Sequence, residues 1–341
     1  MRVLVTGATG NVGSMLVRAL RADAAVEEVV GLARRSPEPG AAPWAGVRWV
    51  SADLADPSSR AAVAAAARGC DVAVHLAWRI QPSHDQHLQR RVNLGGLQHV
   101  VAGLLDAGVP HLVHVSSLGA YSPGPKDRRV PESWPTGGIA GSPYSRQKAA
   151  AERYLDEVEA GQDRLGVTRV RPGIVVQRAA GAEVGRYFLG PLVPRSVVGR
   201  LAAPVLPVPA RLRTQVVHAE DLAEALRLAA AARPGGALNV TGEPVVSGED
   251  LVRALGARRA VPVDASVLRG VVGATWRLRL QPVDPGWLDM AVWTPLLDTS
   301  RVRAELGWRP AHDALAAVSE TVEGTRRTSG WPGSEPLRPG R

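Results

Sequence analysis

The chain is poor in several residue types, and each shortage excludes a class of protein. Its 341 residues include one cysteine, Cys70, which excludes an internal disulfide and a cysteine-built metal site. No apolar run reaches the length of about 18 residues that a membrane-spanning helix needs. The N-terminus reaches Gly7 and Gly10 too soon to contain the apolar region of a signal peptide. We therefore expect a cytoplasmic protein without a membrane span.

The basic charge is also not of the kind that nucleic-acid binding requires. The net charge of +9 comes almost entirely from arginines that are spread through the chain, and aromatic residues make up only 4%. Nucleic-acid-binding proteins usually gather basic residues on one face and place aromatic residues among them. We therefore expect no nucleic-acid partner and a small molecule as substrate.

Short apolar runs alternate with longer helical patterns in the first half of the chain. Several of the runs are continuously apolar, as is typical of strands that are buried on both faces of a parallel sheet. The predicted strands are Arg2–Val5, Val29–Ala33, Val47–Val50, Val72–Leu76, His111–Val115 and Thr168–Arg171. The predicted helices are Val12–Arg21, Ser58–Arg68, Asp85–Ala107 and Tyr144–Glu159. This alternation predicts an α/β protein with a doubly wound parallel sheet.

A glycine-rich turn, TGATGNVG (residues 6–13), follows the first strand and opens the first helix. Its three regularly spaced glycines let the backbone turn tightly and approach a pyrophosphate, and the last one lets helix and strand pack closely. The helix N-terminus adds free N–H groups and a positive dipole end. The strand–turn–helix context therefore predicts a dinucleotide-binding turn. Its expected cofactor-binding residues are Gly7, Thr9, Gly10, Asn11, Val12 and Gly13.

The end of the second strand indicates which dinucleotide binds. NAD enzymes commonly place an acidic residue there to hold the ribose 2′-hydroxyl, whereas this chain has Arg34 and Arg35. A guanidinium binds a 2′-phosphate through paired hydrogen bonds, and a carboxylate would repel it. We therefore predict NADP(H) as the preferred cofactor, with NAD(H) as the alternative. The competing interpretation is that both arginines are simply solvated.

Tyr144 and Lys148 are four residues apart and therefore share one face of a predicted helix. A phenol ordinarily ionises near pH ~10, which is too high for a base at neutral pH. A neighbouring ammonium and an oxidised nicotinamide both favour the phenolate, so we expect a lowered pKa for Tyr144. The pair predicts proton exchange with an alcohol or carbonyl while hydride moves to or from the nicotinamide. Lys148 is also expected to hold the nicotinamide ribose.

Two serines, Ser116 and Ser117, close the fifth predicted strand. Ligands of doubly wound folds bind at the carboxyl ends of the strands. One of the two hydroxyls is therefore expected to hydrogen-bond the reacting oxygen, although a serine pair is also common in ordinary turns.

In this order, these motifs resemble the extended short-chain dehydrogenase/reductase superfamily, also called the NAD-dependent epimerase/dehydratase family. The turn at residues 6–13 resembles the family's TGxxGxxG motif, and YSRQK (residues 144–148) matches YxxxK. In HVSSLGAYSP (residues 114–123), Tyr121 aligns with the tyrosine of the family's VYG motif. That alignment implies that Ser117 is the catalytic serine.

Further motifs extend the resemblance over most of the chain. VHLA (residues 74–77) resembles the family's fourth-strand HLAA motif, and RPG (residues 171–173) matches the turn beside the nicotinamide. Asn93 falls where the family has a helical asparagine, and VHAEDLA (residues 217–223) and LGWRP (residues 306–310) are similar to late signatures. The resemblance implies cofactor contacts by Asp53, Leu54, Leu76, Ala77, Ser116 and Pro172.

Departures from the family pattern reduce the number of reactions that we expect the chain to catalyse. Sugar-nucleotide dehydratases place an Asp-Glu pair directly after the catalytic hydroxyl residue, whereas Leu118-Gly119 follow Ser117 here, so dehydration is not expected. Epimerases tend to hold NAD through an acid on the second strand, whereas Arg34 resembles the NADP-dependent reductase branch. Trp78 replaces a small residue near the expected position of the nicotinamide.

We therefore predict an NAD(P)-dependent oxidoreductase that transfers hydride between a nicotinamide cofactor and a carbonyl or alcohol. Tyr144 is the expected acid/base, Lys148 its electrostatic partner and Ser117 the residue that orients the carbonyl. The main alternative is an NAD-dependent epimerase of the sugar-nucleotide type that retains its cofactor, and a non-catalytic cofactor sensor is the third. The eight histidines show no metal-binding pattern, so no metal is expected. The resemblance also implies a homodimer.

A change in the pattern of apolar residues along the sequence divides the chain into two parts and a tail. We expect residues 1–178 to form a Rossmann-type dinucleotide-binding domain to which residues 213–245 return. Residues 179–212 and 246–326 are expected to form a smaller C-terminal substrate-binding subdomain. Residues 327–341, with their glycine, proline and serine, predict a disordered tail.

For each of two apolar segments in the substrate-binding part, the sequence allows two structural interpretations. Residues 187–212 are apolar and proline-rich, which suits a segment that faces a less polar substrate or one that packs as core. Residues 267–280 carry three arginines among apolar residues. They predict either a basic amphipathic helix on a membrane surface or a helix packed on the small subdomain with solvated arginines.

Overall fold

The computed structural model describes residues 1–38, 40, 42–189, 198 and 205–339. The strands among these residues are β1 (Arg2–Thr6), β2 (Glu28–Ala33), β3 (Arg48–Ser51), β4 (Val72–His75), β5 (His111–Val115), β6 (Arg129–Val130), β7 (Gly166–Pro172), β8 (Ile174–Val176), β9 (Val205–Pro209), β10 (Arg213–Thr214), β11 (Val216–His218), β12 (Gly236–Val240), β13 (Val246–Ser247), β14 (Arg259–Val263) and β15 (Leu296–Leu297).

The α-helices among the described residues are α1 (Asn11–Ala22), α2 (Ser59–Ala67), α3 (Gln86–Arg90), α4 (Gly96–Ala107), α5 (Pro143–Gly161), α6 (Gly181–Val184), α7 (Ala219–Ala232), α8 (Gly248–Ala254), α9 (Ala265–Arg277), α10 (Gly286–Trp293), α11 (Ser300–Leu306) and α12 (Ala314–Arg326). In the part of the chain that the structure describes, none of them is long and apolar enough to cross a membrane.

Seven strands form the central sheet in the order β12-β7-β5-β4-β1-β2-β3. All neighbours are parallel, with Val3 of β1 opposite Val29 of β2 on one side and Val72 of β4 on the other. The strand order reverses between β1 and β4, and ligands of such folds bind at the carboxyl ends of the strands at this reversal. The predicted doubly wound parallel sheet of Rossmann type is confirmed.

Helices cover both faces of the sheet. One face packs against α1 and α7, whose Leu16 and Leu226 are fully buried in a shared core. The other face packs against α2, α4 and α5, with Leu97 and Leu155 fully buried. Because neither face is solvated, the strands need no polar alternation and are continuously apolar.

The predicted helix at residues 85–107 is confirmed in position but not in continuity. Its N-terminus is capped by Asp85, whose carboxylate accepts the Leu88 N–H at 2.9 Å. Between α3 and α4 the chain forms a π-helical turn, Arg91–Gly95. Such turns widen a helix locally and recur at functional sites. Here the turn carries Asn93, whose contacts belong to the candidate site.

Outside the central sheet, β9 and β14 form a separate parallel pair. The apolar segment 187–212 lies largely outside the described residues, which include 187–189, 198 and 205–212 of it. Helix α9, which corresponds to the basic apolar segment 267–280, follows β14 and packs beside α10.

The prediction of a disordered tail at residues 327–341 is corrected for the described residues 327–339. The side chain of Leu337 is fully buried, and Trp331 packs against the core that α1 and α7 share. The Trp331 N–H donates to the Leu337 carbonyl at 2.8 Å, which closes the segment into a loop. Apolar anchors that a composition argument overlooked therefore hold this segment on the fold.

Candidate active site

The glycine-rich turn is shaped by close backbone contacts. Gly7 has a φ of +71°, and a Cβ there would lie 2.8 Å from the Ala77 nitrogen. A Cβ on Gly13 would lie 2.3 Å from the Gly7 carbonyl oxygen. Both positions therefore require glycine. The approach at Gly7 places Leu76 and Ala77, two of the expected cofactor contacts, directly beside the turn.

The N-terminus of α1 is suited to bind an anion. Its N-cap is Gly10, which supplies no side-chain cap, and its first turn carries no acidic residue. Asn11 is held in place because Gln177 Nε2 donates to its carbonyl oxygen at 2.8 Å and to its Oδ1 at 2.6 Å. Val12 packs against the core on the inner side. The free N–H groups and positive dipole end fit the pyrophosphate of a dinucleotide.

Two distant side chains hold the carbonyl groups of this turn. The indole Nε1 of Trp44 donates to the Ala8 oxygen at 3.1 Å. The hydroxyl of Ser334 donates to the Thr9 oxygen at 2.6 Å, across 325 residues of sequence. The C-terminal segment thus fixes the phosphate-binding turn from outside, and no motif in the sequence indicates this contact.

A cleft of about 410 Å³ lies beyond the ends of β2 and β3. Its lining includes Arg34, Ser51, Asp53 and Ser59. The Arg34 side chain is exposed, and no carboxylate among the described residues forms an ion pair with it, whereas the neighbouring Arg35 pairs with Glu335. The cleft therefore offers a free guanidinium and an acidic residue in one lining.

Leu54, the residue after Asp53, is buried in the core rather than exposed to this cleft. A Cβ on Gly96 of α4 would approach Leu54 Cβ to 3.0 Å, so α4 lies close against it. Of the two expected adenine contacts, only Asp53 lines the cleft within the described residues.

The segment after β4 joins the glycine turn to the Tyr144–Lys148 pair. Ala77 lies beside Gly7, and the next residue, Trp78, places its ring 3.6 Å from the Lys148 ammonium. The glycine turn and Lys148 therefore lie on the same carboxyl edge of the sheet, with one aromatic side chain between them.

Lys148 is buried, with its side chain turned toward the sheet. Its ammonium donates to the Val115 carbonyl oxygen at 2.9 Å and lies over the Trp78 ring. Burial lowers the pKa of Lys148 to about 7, against a smaller opposing effect of the Glu152 carboxylate. At neutral pH this group can therefore either carry a charge or release a proton.

The prediction that Lys148 lowers the pKa of Tyr144 is wrong for this structure. Tyr144 is partly exposed, yet its phenol is packed closely enough that burial raises the pKa to about 12. A hydrogen bond with Ser117 lowers this pKa but does not outweigh burial. The ammonium instead bonds to Val115 and Trp78, so desolvation decides the protonation of the phenol.

Ser117 is placed as the sequence suggested, beside Tyr144. Its hydroxyl accepts the Gly119 N–H at 3.0 Å. A Cβ on Gly119 would come within 3.2 Å of Tyr144 Cε1, so a side chain there would crowd the phenol. Ser117, Tyr144 and Lys148 thus lie together at the carboxyl end of β5.

Ser116 and Pro172 take backbone roles at the same edge. The Ser116 N–H donates to the Val170 oxygen at 2.7 Å, which joins the end of β5 to β7. Pro172 ends β7, and the following Gly173 N–H donates to the Val240 oxygen at 3.0 Å. Both residues lie at strand ends, where the family resemblance expects the nicotinamide.

Helix α5, which carries Tyr144 and Lys148, is held against the sheet by a buried ion pair. The Arg171 guanidinium donates to both carboxylate oxygens of Glu152, each at 2.9 Å, and also to the Tyr121 hydroxyl at 2.9 Å. Tyr121 in turn donates to Asn239 at 2.7 Å. Because Glu152 lies one turn after Lys148 on α5, this network fixes the rotation of the helix that carries the pair.

A recess opens at Tyr144, and one aromatic residue that no motif indicated, Trp287, forms part of its wall. The ring of Trp287 lies 5.2 Å from that of Tyr144 and 5.2 Å from that of Phe188. Asn93, on the π-helical turn, donates to Gln147 at 2.7 Å and accepts the Arg79 N–H at 2.7 Å. Both Asn93 and Trp287 line the recess.

Away from this edge, His218, Glu220 and His312 come close enough to suggest a metal site. The Nδ1 of His218, however, accepts the Glu220 N–H at 3.2 Å, which places the ring proton on Nε2. His312 Nδ1 lies 2.9 Å from Asp221 Oδ1. Only one of the two imidazoles then has a free lone pair, so we assign these side chains to structural bonds around the start of α7.

Comparison with known proteins adds three relatives. The family model described as the NAD dependent epimerase/dehydratase family matches residues 3–241. Sterol demethylase protein B of Methylococcus capsulatus is 33% identical over 178 residues, 52% of this chain and 52% of that protein. A 3-diazoavenalumate denitrifying reductase of a Streptomyces species is 29% identical over 327 residues, 92% of this chain and 97% of that protein. The UDP-glucose 4-epimerase of Thermus thermophilus, solved in complex with NAD, is 25% identical with a TM-score of 0.68, over 96% of this chain and 99% of that one.

Proposed function

The chain belongs to the NAD-dependent epimerase/dehydratase family, and from this premise we propose that it reduces a carbonyl compound with a nicotinamide cofactor. The observation that carries the proposal is the phenol of Tyr144, hydrogen-bonded with Ser117 at the carboxyl end of β5. The glycine turn lies on the same edge, with Trp78 and Lys148 between them.

The protonation of Tyr144 fits the role of a general acid in carbonyl reduction. With a pKa of about 12, the phenol is protonated at neutral pH and is ready to donate. An alkoxide that forms as hydride reaches a carbonyl carbon is more basic than a phenolate. Proton transfer from Tyr144 to that oxygen is therefore downhill.

Ser117 and Lys148 take the supporting roles. The Ser117 hydroxyl, fixed by the Gly119 N–H, hydrogen-bonds the carbonyl oxygen and orients it toward Tyr144. Lys148, buried at the same edge with its ammonium on the Val115 carbonyl oxygen, holds the nicotinamide ribose. The cofactor itself supplies the hydride from the nicotinamide ring.

We assign NADP(H) as the preferred cofactor. The support is the exposed Arg34, which lines the cleft beyond β2 without a carboxylate partner among the described residues. Such a guanidinium suits the 2′-phosphate, whereas Asp53 in the same cleft suits the adenine. The solved epimerase relative carries NAD, so the assignment rests on this chain's own second strand.

The substrate is expected to be a less polar carbonyl compound. Trp287 packs beside Tyr144, and Phe188 packs edge-on against Trp287. They come from residues 246–326 and 179–212, the two stretches that we propose as the substrate-binding subdomain. We also propose a homodimer through the long helices α4 and α5, as the family resemblance implies.

A cofactor-retaining epimerase is the second candidate, and the UDP-glucose 4-epimerase relative is the observation that favours it. The same three residues would then remove and return the proton of one hydroxyl, and the retained cofactor would supply the hydride chemistry at that carbon. A purified protein that carries tightly bound NAD and consumes no NADPH would support this candidate over the first.

The decisive experiment is Tyr144→Phe, assayed by NADPH and NADH oxidation with a panel of alkyl and aryl ketones. Loss of the general acid should lower turnover by about 100- to 10,000-fold. NADPH affinity, measured by fluorescence titration, should stay close to that of the wild type because the glycine turn is intact.

Tyr154→Phe is the matched control, since Tyr154 lies further along the same helix and packs against the core that α2, α4 and α5 share, away from Ser117. It should keep wild-type turnover. Equal turnover by wild type and Tyr144→Phe would overturn the assignment of the acid. NADPH binding without turnover of any ketone would favour the cofactor sensor.

A further inference from the structure

We propose that α9 binds the surface of an anionic lipid bilayer through its outer face, defined by Val267, Val271 and Leu278. This segment kept two interpretations at the level of sequence, a membrane-surface helix and a packed helix with solvated arginines. The structure shows how each side of the helix is used.

The outer face is apolar and exposed. Val267 is 57% exposed, Val271 58% and Leu278 70%, and α9, described along its whole length, contains no buried residue. Residues at these positions fall on one side of a helix, since four and eleven residues are close to whole numbers of turns. Gly270 and Ala274 lie between them on the same side, so the face is a continuous stripe without a polar side chain.

The opposite side already has partners within the protein. Arg269 forms an ion pair with Asp289 of α10 at 2.8 Å. The ring of Trp276 stacks on that of His84 with the ring centroids 4.2 Å apart. These contacts fix the orientation of α9. Its outer face is therefore exposed because of how the helix packs, and not because the helix unwinds at its ends.

Charge selects the kind of surface that would cover this stripe. Residues 265–283 contain no aspartate or glutamate. Arg277 and Arg279 are exposed, lie on either side of Leu278 and form no ion pair among the described residues. Apolar residues between unpaired arginines are the pattern of helices that insert at the interface of an anionic membrane.

A second copy of this chain fits the same face less well. Two copies that met through this stripe would each carry a net charge of +9, and residues 265–283 offer no carboxylate to pair with the exposed Arg277 and Arg279. Nor would α9 cross the bilayer, because thirteen residues are too few. The helix would lie in the plane of the headgroups.

This placement has a consequence that rests on the proposed function. His84, which stacks on Trp276, follows Ser83, and Ser83 lines the recess at Tyr144. A docked α9 would therefore hold the recess close to the lipid surface, where apolar carbonyl compounds accumulate.

The test is co-sedimentation of the full chain with vesicles of phosphatidylcholine alone or mixed equally with phosphatidylglycerol. We expect binding to the mixed vesicles, weakened by added salt, and little to the neutral ones. Val271→Gln with Leu278→Gln should weaken binding at least about tenfold, since two apolar anchors are lost. Arg277→Gln with Arg279→Gln should weaken it about 30-fold, from two surface charges.

Ile174→Gln is the matched control, because Ile174 is a 47% exposed apolar residue on β8 rather than on α9. It should bind vesicles like the wild type, and NADPH titration of every variant reports folding. Wild type that ignores anionic vesicles, or Gln variants that bind them unchanged, would overturn the proposal. So would a dimer that Val271→Gln with Leu278→Gln converts to monomers.

Tyr144→Phe separates this inference from the proposed function. It should bind vesicles like the wild type even when turnover is lost. Vesicle binding without ketone reduction would sustain the docking surface and reject the reductase, and the reverse result would do the opposite.

Discussion

The glycine turn and the Tyr144–Lys148 pair lie on one edge of the same sheet, yet the sequence predicts the properties of the turn better than those of the pair. At the turn, the constraint is steric and local, because a Cβ on Gly7 or Gly13 meets backbone atoms. At the pair, the constraint is electrostatic and depends on what surrounds it. Helical spacing brought the two side chains to one face, whereas burial reversed the expected pKa shift of Tyr144.

Gly13→Ala should have the largest effect on stability and cofactor binding, since it tests the steric constraint at the glycine turn. The new Cβ would lie 2.3 Å from the Gly7 oxygen and 2.7 Å from Ala8 backbone atoms, which cannot move independently. We expect a loss of more than about 3 kcal/mol of unfolding free energy in urea titrations, with loss of NADPH binding.

Gly10→Ala is the control for that substitution. Its Cβ would lie 3.3 Å from the Gly7 oxygen, in an extended backbone conformation with a φ of −80°. Stability should change little, while NADPH binding weakens because the Cβ stands at the helix N-terminus. Equal destabilisation by both variants would show that packing at Gly13 does not limit the turn.

Lys148→Met tests the electrostatic constraint at the Tyr144–Lys148 pair. The pKa of Lys148 is lowered from 10.5 to about 7 in the folded chain. Between these values the unfolded chain binds the proton and the folded chain does not, so wild-type stability rises with pH across that window. The variant should lose this slope and be more stable than wild type below pH 7, by on the order of 2 kcal/mol.

Turnover should move in the opposite direction and fall about 100-fold in Lys148→Met. Lys126→Met is the control, because Lys126 is the other buried lysine and donates to the Arg213 and Ala291 carbonyls, away from the pair. It should keep turnover. Parallel stability–pH curves for wild type and Lys148→Met would contradict the burial of a titrating ammonium.

Arg34→Ala tests the prediction that a strand end selects the cofactor. Loss of a charge-assisted bond to the 2′-phosphate should weaken NADPH binding by about 10- to 100-fold and leave NADH binding unchanged. Arg35→Ala, whose guanidinium pairs with Glu335, should have the smaller effect. Equal weakening of both dinucleotides by Arg34→Ala would reject the NADP(H) assignment.

Ser334→Ala should have the smallest effect, because it removes one hydrogen bond to the Thr9 carbonyl. Looser positioning of the turn should raise the dissociation constant of NADPH about fivefold, with the turnover number unchanged. Ser319→Ala removes only a local bond to Leu315 on α12 and should be silent. A change of turnover number without a change of affinity would indicate another role for the C-terminal segment.

Patterns with short range in the sequence predicted most of the fold. The predicted strand His111–Val115 coincides with β5, and the other five lie within a few residues of the strands observed. The family membership and the parallel sheet read from these patterns are confirmed. Because the sheet is buried on both faces, its strands are continuous apolar runs, and their positions can be predicted from the sequence.

The contacts that sequence reasoning missed join segments far apart in the chain. The π-helical turn at Asn93, the Trp287 wall and the bond from Ser334 to Thr9 each depend on such meetings. A residue such as Ser334, in a stretch of glycine, proline and serine, carries no local sign of its partner. Only the burial of Leu337 and Trp331 nearby reveals that the segment is anchored.

By itself the sequence determined where the glycines, the tyrosine and the lysine must lie, because backbone sterics and helical periodicity act over a few residues. The tertiary structure decided the charge states of Tyr144 and Lys148, the anchoring of the C-terminal segment and the outward face of α9. These properties depend on desolvation and on partners brought together across the whole chain, and desolvation follows from packing density rather than from residue order.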